Sequence, residues 1–221
     1  SKDLIPKFKS NGFKVSNIPL LEISKINHKE ININNFNAII FTSSNAIRFL
    51  DLKRIDKNIL CFCVGLSTEK TARSNGFQRV YAADGNVRNL KELLQQNLSA
   101  KGNKILYISG EIISYPLDKE LISEGYNVER LINYKVKHNE DLDLTFLESL
   151  KKDIPDLVYV YSENSAKSFL KLIKKYELVD YWMNTNLLCI GEKTSAVLNK
   201  IKWKKIYLFN PGEEEFLLNK L

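Results

Sequence analysis

The residues of this chain best suited to chemistry lie at four turns, each following an apolar run and opening a helical pattern. Two turns have the form Ser-x-Asn-small, at 43–46 and 162–165, and two have the form Gly-x-x-Thr, at 65–68 and 191–194. A helix N-terminus offers unpaired N–H groups and a partial positive charge, so it binds carboxylates or phosphates without an arginine. We therefore predict a ligand site formed by the residues of these turns: Thr42, Ser43, Ser44, Asn45, Gly65, Thr68, Ser162, Asn164, Gly191, Lys193 and Thr194.

An alternative is that these serines and threonines only cap their helices. The pattern occurs twice, however, since 39–46 matches 158–165 and 63–68 matches 189–194. Two similar α/β halves are therefore expected, each with two turns at the carboxyl edge of its sheet. Because open α/β sheets bind ligands outside that edge, the repetition favours a ligand cleft between the halves.

Seven short apolar runs predict the strands that position these turns. They are rich in β-branched and aromatic residues and alternate little, as is typical of strands buried on both faces of a parallel sheet. Helical patterns lie between them at 87–99, 116–124 and 163–176, and acidic residues after Pro211 predict a terminal helix. Strands alternating with helices predict an α/β fold with parallel sheets. The predicted strands are 38–41, 59–64, 79–82, 105–108, 157–161, 187–190 and 206–209.

Composition narrows the class of partner. The 221 residues carry a net charge of +7, which favours an acidic ligand, but no arginine cluster or basic helix follows the pattern of a nucleic-acid interface. No apolar run approaches the roughly 18 residues of a membrane span, and the first residues lack a secretory signal pattern. We expect a cytoplasmic protein with neither a nucleic-acid nor a membrane partner.

Motifs for metals and cofactors are absent from the sequence. Cys61, Cys63 and Cys189 lie inside apolar runs and are expected to be buried, reduced thiols. His28 and His138 have polar neighbours and are expected at the surface. No phosphate loop, dinucleotide fingerprint or nucleophile elbow occurs. The sequence therefore predicts a protein without metal or organic cofactor.

With these turns in view, the chain resembles the uroporphyrinogen-III synthase family over nearly its whole length. The order and spacing of several segments carry the resemblance: 41–46 (FTSSNA), 64–68 (VGLST), 76–77 (GF), 105–111 (ILYISGE), 125–134 (GYNVERLINY), Ser162 and 190–194 (IGEKT). The resemblance implies two flavodoxin-like or Rossmann-like parallel-sheet domains. One would be 24–130, the other would combine 1–17 with 138–221, and strands at 18–23 and 131–137 would form a two-strand hinge.

The resemblance also implies an activity. The enzyme would be a hydro-lyase of haem biosynthesis that closes linear hydroxymethylbilane into uroporphyrinogen III, with loss of water and inversion of the terminal pyrrole. Tyr134 matches the family tyrosine proposed to assist departure of the hydroxyl, with packing at the hinge as the alternative. Ser109 and Gly110 would join the substrate-binding turns. The implied partners are a polycarboxylate linear tetrapyrrole and, transiently, hydroxymethylbilane synthase, and we expect a monomer.

Two departures from the family pattern bear on the site. Ser109 stands where relatives often have arginine, so a substrate contact there would be weaker or differently made. The printed chain also starts inside the helix that follows the family's first strand and its Thr-Arg-Pro-like turn, so we expect that turn to lie outside it.

Three other functions remain open at this point. Two α/β halves joined by paired strands also describe a hinged protein that binds an acidic or hexose-like ligand. A regulatory module could keep the fold without the activity. A nucleotide-binding transferase is the third, and the lack of a glycine-rich loop argues against it.

Overall fold

The computed structural model describes residues 4–28, 31–83, 87–210 and 213. Its strands are β1 (Leu21–Lys25), β2 (Ala38–Phe41), β3 (Leu60–Val64), β4 (Val80–Ala83), β5 (Lys104–Gly110), β6 (Asn127–His138), β7 (Leu157–Val160), β8 (Asn186–Ile190) and β9 (Lys205–Phe209). Its α-helices are α1 (Leu4–Ser10), α2 (Ser44–Arg48), α3 (Leu66–Ser74), α4 (Val87–Asn97), α5 (Leu117–Ser123), α6 (Leu144–Lys152), α7 (Glu163–Lys175) and α8 (Gly191–Leu198). Within the described ranges, no helix has the length and apolar character needed to cross a membrane.

The chain divides into two compact units. The first, called the split unit here, combines Ser1–Glu22 with Lys137–Leu221, and the second, the middle unit, is Ile23–Val136. Both boundaries fall inside strands, one in β1 and the other in β6.

The middle unit is built on a six-stranded sheet in the order β1-β6-β5-β2-β3-β4, in which β2 to β6 run parallel. The central strands β2 and β3 are apolar throughout, as is typical of strands whose two faces are both covered. Ile39 and Phe41 pack in one apolar cluster with residues of α2 and α3. Ala38 and Ile40, which point the other way, pack in a second cluster with residues of α4 and α5. Because alternate residues of β2 are buried in different clusters, a shift of one residue in its pairing would exchange the two faces, so its register is fixed.

The split unit contains a three-stranded parallel sheet in the order β7-β8-β9. On one face, Phe169 of α7 packs against Trp182 and Trp203, with ring centroids 5.3 and 6.3 Å apart. On the other face, Phe8 of α1 joins the cluster that contains Phe209 of β9. The sheet is therefore covered on both sides, as in the middle unit.

The predicted α/β fold with parallel sheets is confirmed, and each predicted strand and helix within the described residues appears with bounds close to those predicted. Of the extended segment predicted at 18–23, residues 21–23 lie in β1 at Leu21–Lys25, and residues 18–20 are not strand. Pro19 has no N–H to give to a ladder. The segment predicted at 131–137 lies within the longer β6, which pairs with β5 from Asn127 onward. The predicted terminal helix lies outside the described residues, apart from Glu213.

Candidate active site

The carboxyl edge of the middle sheet gathers the predicted site residues of this unit. Strands β6, β5, β2 and β3 are neighbours, and the adjacent pairs run parallel, so they end at the same edge. Thr42 follows β2, Gly65 follows β3, and Ser109 and Gly110 end β5. The Thr42 hydroxyl lies 3.2 Å from the hydroxyl of Tyr107, which links β2 to β5 at this edge.

A β-bulge in β6 sets the direction of Tyr134. Ser109 pairs with Ile132 and Gly110 with Tyr134, so Asn133 is an extra residue in β6. Without the bulge, strict alternation from Leu131 would turn Tyr134 toward the opposite face. With it, Leu131 and Tyr134 belong to the same apolar cluster.

Asn133 fixes this bulge from the α2 side. Its side chain is fully buried, and its amide donates a 2.7 Å hydrogen bond to the carbonyl of Ala46 in α2. The buried hydrogen bond ties the extra residue to the helix that follows Thr42. A bulge held in this way is typical of a strand that re-aims a side chain next to an active site.

Gly110 provides the space for the Tyr134 ring. A Cβ atom on Gly110 would lie 2.7 Å from Cζ and 3.0 Å from the hydroxyl oxygen of Tyr134, well inside van der Waals contact. The ring therefore rests against the bare backbone of β5. Phe49 stacks on the ring at a centroid distance of 6.4 Å, and the Glu111 N–H donates to the Tyr134 carbonyl at 2.9 Å.

The phenol of Tyr134 is held in place without being sealed off. The residue is 8% exposed. Among the residues that the structure describes, none forms a hydrogen bond with its hydroxyl. A phenol in this setting can donate a proton or a hydrogen bond to a bound ligand.

Arg130, which the sequence analysis did not single out, reaches the candidate site from β6. Its guanidinium donates to the hydroxyl of Ser109 at 2.8 Å and to the carbonyls of Gly110 and Glu111 at 2.8 and 3.0 Å. A relative's arginine was expected at position 109, and here an arginine reaches that place from the next strand. The only sequence signal was a charged residue inside a half-apolar strand, and that signal does not show which residues the side chain contacts.

Tyr107 is the second residue that was missed. Burial raises the pKa of the Tyr107 phenol, and the hydrogen bond with Thr42 and the charge of Arg130 oppose that rise. The phenol therefore stays protonated at neutral pH and can hold the Thr42 hydroxyl. Its position in the middle of an apolar run made it look like a core residue only.

The remaining middle-unit turns show capping as well as exposure. The Ser43 side chain accepts a hydrogen bond from the Asn45 N–H at 3.2 Å and so caps α2, and Ser44 is half-buried. Gly65 precedes α3 with a φ of +78°, a conformation that favours glycine. Thr68, in the first turn of α3, is only 5% exposed. The capping alternative thus holds for Ser43.

The split unit brings its own predicted residues to one edge. Strands β7 and β8 are parallel neighbours, so Ser162 and Gly191, which follow them, lie at the same carboxyl edge. Ser162 caps α7 by accepting from the Ser165 N–H at 3.0 Å. Asn164 lies in the first turn of α7, and Gly191 begins α8 with a φ of +61°.

Helix α8 carries the other two predicted residues of the split unit. Lys193 lines an open groove between α7 and α8 together with Lys167 and Lys200, and Glu163 forms an ion pair with Lys167 at one end of it. Thr194 is 3% exposed. Three lysines and one glutamate line the groove, so its net charge is positive.

Many of the polar groups of both units are of kinds that bind organic acids. In the ranges that the structure describes, no three His, Cys, Asp or Glu side chains come together as ligands. The three cysteines are free and buried. The hydroxyls, backbone N–H groups and cations at both carboxyl edges are suited to binding carboxylates.

Comparison with known proteins shows the family and the fold of this chain. A family model described as uroporphyrinogen-III synthase HemD matches residues 2–210. The solved uroporphyrinogen-III synthetase of Helicobacter pylori 26695 has a TM-score of 0.65 at 22% identity, over 92% of this chain and 90% of that one. A mutant uroporphyrinogen III synthase of the extremely thermophilic bacterium Thermus thermophilus has a TM-score of 0.55 at 14% identity, over 99% and 92%.

The two solved structures share the fold of this chain. The comparison with curated proteins found no match. None of these matches supports the binding-protein or regulatory alternatives. The family model extends over nearly the whole chain, so this chain belongs to the uroporphyrinogen-III synthase family.

Proposed function

We propose that Tyr134 is the catalytic acid of the ring closure that this family carries out, the conversion of hydroxymethylbilane to uroporphyrinogen III with loss of water. On this proposal the enzyme is a hydro-lyase. The observation that carries it is the bulge at Asn133, which turns Tyr134 against the bare backbone of Gly110 and leaves its hydroxyl without a partner among the described residues.

The chemistry of the substrate requires little more than an acid and a fixed geometry. When the C–O bond of the hydroxymethyl group breaks, the pyrrole's own electrons stabilise the cationic azafulvene that forms. The departing hydroxide needs a proton to leave as water. A phenol within hydrogen-bond reach supplies it and becomes a phenolate. The phenolate regains a proton when the pyrrole carbon that closes the ring loses its hydrogen, so no protein nucleophile is required.

The enzyme's second task is to fold the linear chain so that its ends meet. Holding reacting groups in a closing geometry can supply much of the rate enhancement. We propose that the hydroxyls and backbone N–H groups of Thr42, Ser43, Ser44, Asn45, Gly65, Thr68, Ser109 and Gly110 hold carboxylates on the middle unit. On the split unit, Ser162, Asn164, Gly191, Lys193 and Thr194 would do the same.

We also propose the setting in which the enzyme works. The unit boundaries inside β1 and β6 support the hinge expected at 18–23 and 131–137, with domains close to 24–130 and to 1–17 plus 138–221. The enzyme would act as a cytoplasmic monomer. Because the free substrate also closes spontaneously to the type I isomer, a transient contact with hydroxymethylbilane synthase would limit that loss.

A coupled assay tests the proposal. Hydroxymethylbilane is generated in place, and the oxidised products are separated by chromatography into type I and type III isomers. An excess of type III over the spontaneous type I is the expected result. Type I alone, from folded protein, would overturn the proposed activity.

A further inference from the structure

Arg130 is fixed by uncharged groups. Its Nε–H donates to the Ser109 hydroxyl, and one terminal nitrogen donates to the carbonyls of both Gly110 and Glu111. Among the residues that the structure describes, no acidic side chain forms an ion pair with it. Its guanidinium instead holds three consecutive residues at the end of β5.

Those same residues contact Tyr134 in two ways. The Cα of Gly110 lies against the ring, so closely that a Cβ would come within 2.8 Å of Cε2. The N–H of Glu111 donates to the Tyr134 carbonyl at 2.9 Å. One contact fixes the ring and the other fixes the backbone, and both depend on where the end of β5 lies.

Because of the bulge, the position of this end of β5 depends on contacts beyond the regular ladder. Regular pairing of β5 and β6 is interrupted between Ser109 and Gly110 before it resumes at Gly110 and Tyr134, so the ladder is locally disrupted at the last residues of β5. Arg130 pairs with Tyr107 before the interruption and its side chain spans to the residues after it. The guanidinium therefore bridges the irregular part of the sheet.

We propose that Arg130 is a positioning residue for the reaction. It holds the end of β5 so that Gly110 and Glu111 place the Tyr134 phenol at the leaving hydroxyl group. This inference rests on the acid role proposed for Tyr134. A lysine cannot replace it fully, because a single ammonium does not reproduce the planar fork that reaches three acceptors.

The kinetic test compares Arg130→Met and Arg130→Lys with Arg79→Met. Arg79 is an exposed arginine of the same unit, at the amino end of β4, and serves as the matched control. We expect Arg130→Met to lower kcat about tenfold or more with KM within about twofold, Arg130→Lys to lie between, and Arg79→Met to match the wild type. A raised KM at unchanged kcat would overturn the proposal, because it would indicate that Arg130 binds substrate directly.

A double-mutant comparison separates positioning from general damage. In a Tyr134→Phe background, Arg130→Met should cost less than about twofold further, since the group that it positions is already absent. An undiminished loss in that background would contradict the proposal. If Arg130→Met does not fold, Arg130→Lys carries the same comparison with a smaller expected loss.

A spectroscopic test does not depend on turnover. Protein labelled with 3-fluorotyrosine gives a ¹⁹F resonance for Tyr134, which is assigned by its disappearance in Tyr134→Phe. Arg130→Met should shift or broaden that resonance, and Arg79→Met should leave it in place. An unmoved resonance would sink the positioning role. A moved resonance together with wild-type turnover of Tyr134→Phe would instead leave the contact standing and refute the acid role.

Discussion

Replacing Gly110 with alanine should slow ring closure about a hundredfold, because the added methyl group takes the space of the Tyr134 ring. The new Cβ would lie 2.7 Å from Cζ, 2.8 Å from Cε2 and 3.0 Å from the hydroxyl oxygen. Carbon atoms in good contact are about 3.5–4.0 Å apart, so the ring has to retreat by about 1 Å. Gly110 has no positive φ, so the substitution adds no backbone strain of its own.

The magnitude follows from that displacement. A misplacement of about 1 Å in a catalytic group can cost about 100-fold, equivalent to about 2.7 kcal/mol in the activation free energy. Crowding of a packed site also lowers the free energy of unfolding, by about 1–3 kcal/mol. Phe49 also stacks on this ring at a centroid distance of 6.4 Å, so a displaced ring changes that contact too. Both effects should therefore appear in Gly110→Ala.

The assay measures kcat and the urea midpoint for Gly110→Ala and for Gly102→Ala. Gly102 has a φ of +78° and open space at its Cβ position, so alanine there strains the backbone by about 1–3 kcal/mol without touching Tyr134. We expect both variants to lose stability and only Gly110→Ala to lose kcat. A folded Gly110→Ala enzyme that keeps its rate within about threefold would refute the contact argument.

Three other predictions concern the two sheets and their thiols. Ser162→Asp keeps an α7 N-cap but adds a negative charge, so KM should rise about fivefold or more while the helix content stays the same; an unchanged KM would show that Ser162 only caps. Asn133→Ala leaves the carbonyl of Ala46 without its buried donor, so the free energy of unfolding in urea should fall by about 1–3 kcal/mol; a change below about 0.5 kcal/mol would contradict that role. Burial raises the pKa of Cys189 to about 11. The hydrogen bond with the Cys63 thiol, together with burial, raises the pKa of Cys61. At pH 8 these buried thiols stay protonated, so a colorimetric thiol reagent should react with the native protein only slowly and with the denatured protein rapidly; fast native reaction would contradict the burial.

The fold could be predicted from the sequence because its strands carry a local signal. The apolar, β-branched run at 38–41 allows little besides a buried strand, and β2 has those bounds. The Gly-x-x-Thr repeat likewise placed α3 and α8 directly after β3 and β8. These elements are decided by residues a few positions apart, which a single sequence shows.

The site was only partly predictable because its geometry depends on register. Tyr134 was expected in the site from the family resemblance, yet simple alternation in β6 would have pointed it to the wrong face. The bulge at Asn133 depends on how β6 pairs with β5, and Arg130 acts on residues about 20 positions away. Such long-range pairings leave no local pattern, so Arg130 and Tyr107 could not be singled out in advance.

The Tyr134→Phe variant tests the central claim most directly, because it removes only the hydroxyl. The contacts that hold the residue remain: the hydrogen bond from the Glu111 N–H to its carbonyl and the stacking of Phe49 on its ring. The measurement is the rate of uroporphyrinogen III formation at saturating hydroxymethylbilane, with the type III fraction recorded alongside. We predict a rate at least about tenfold below that of the wild type, with KM within about twofold. A variant that forms uroporphyrinogen III at the wild-type rate would contradict the acid role of Tyr134.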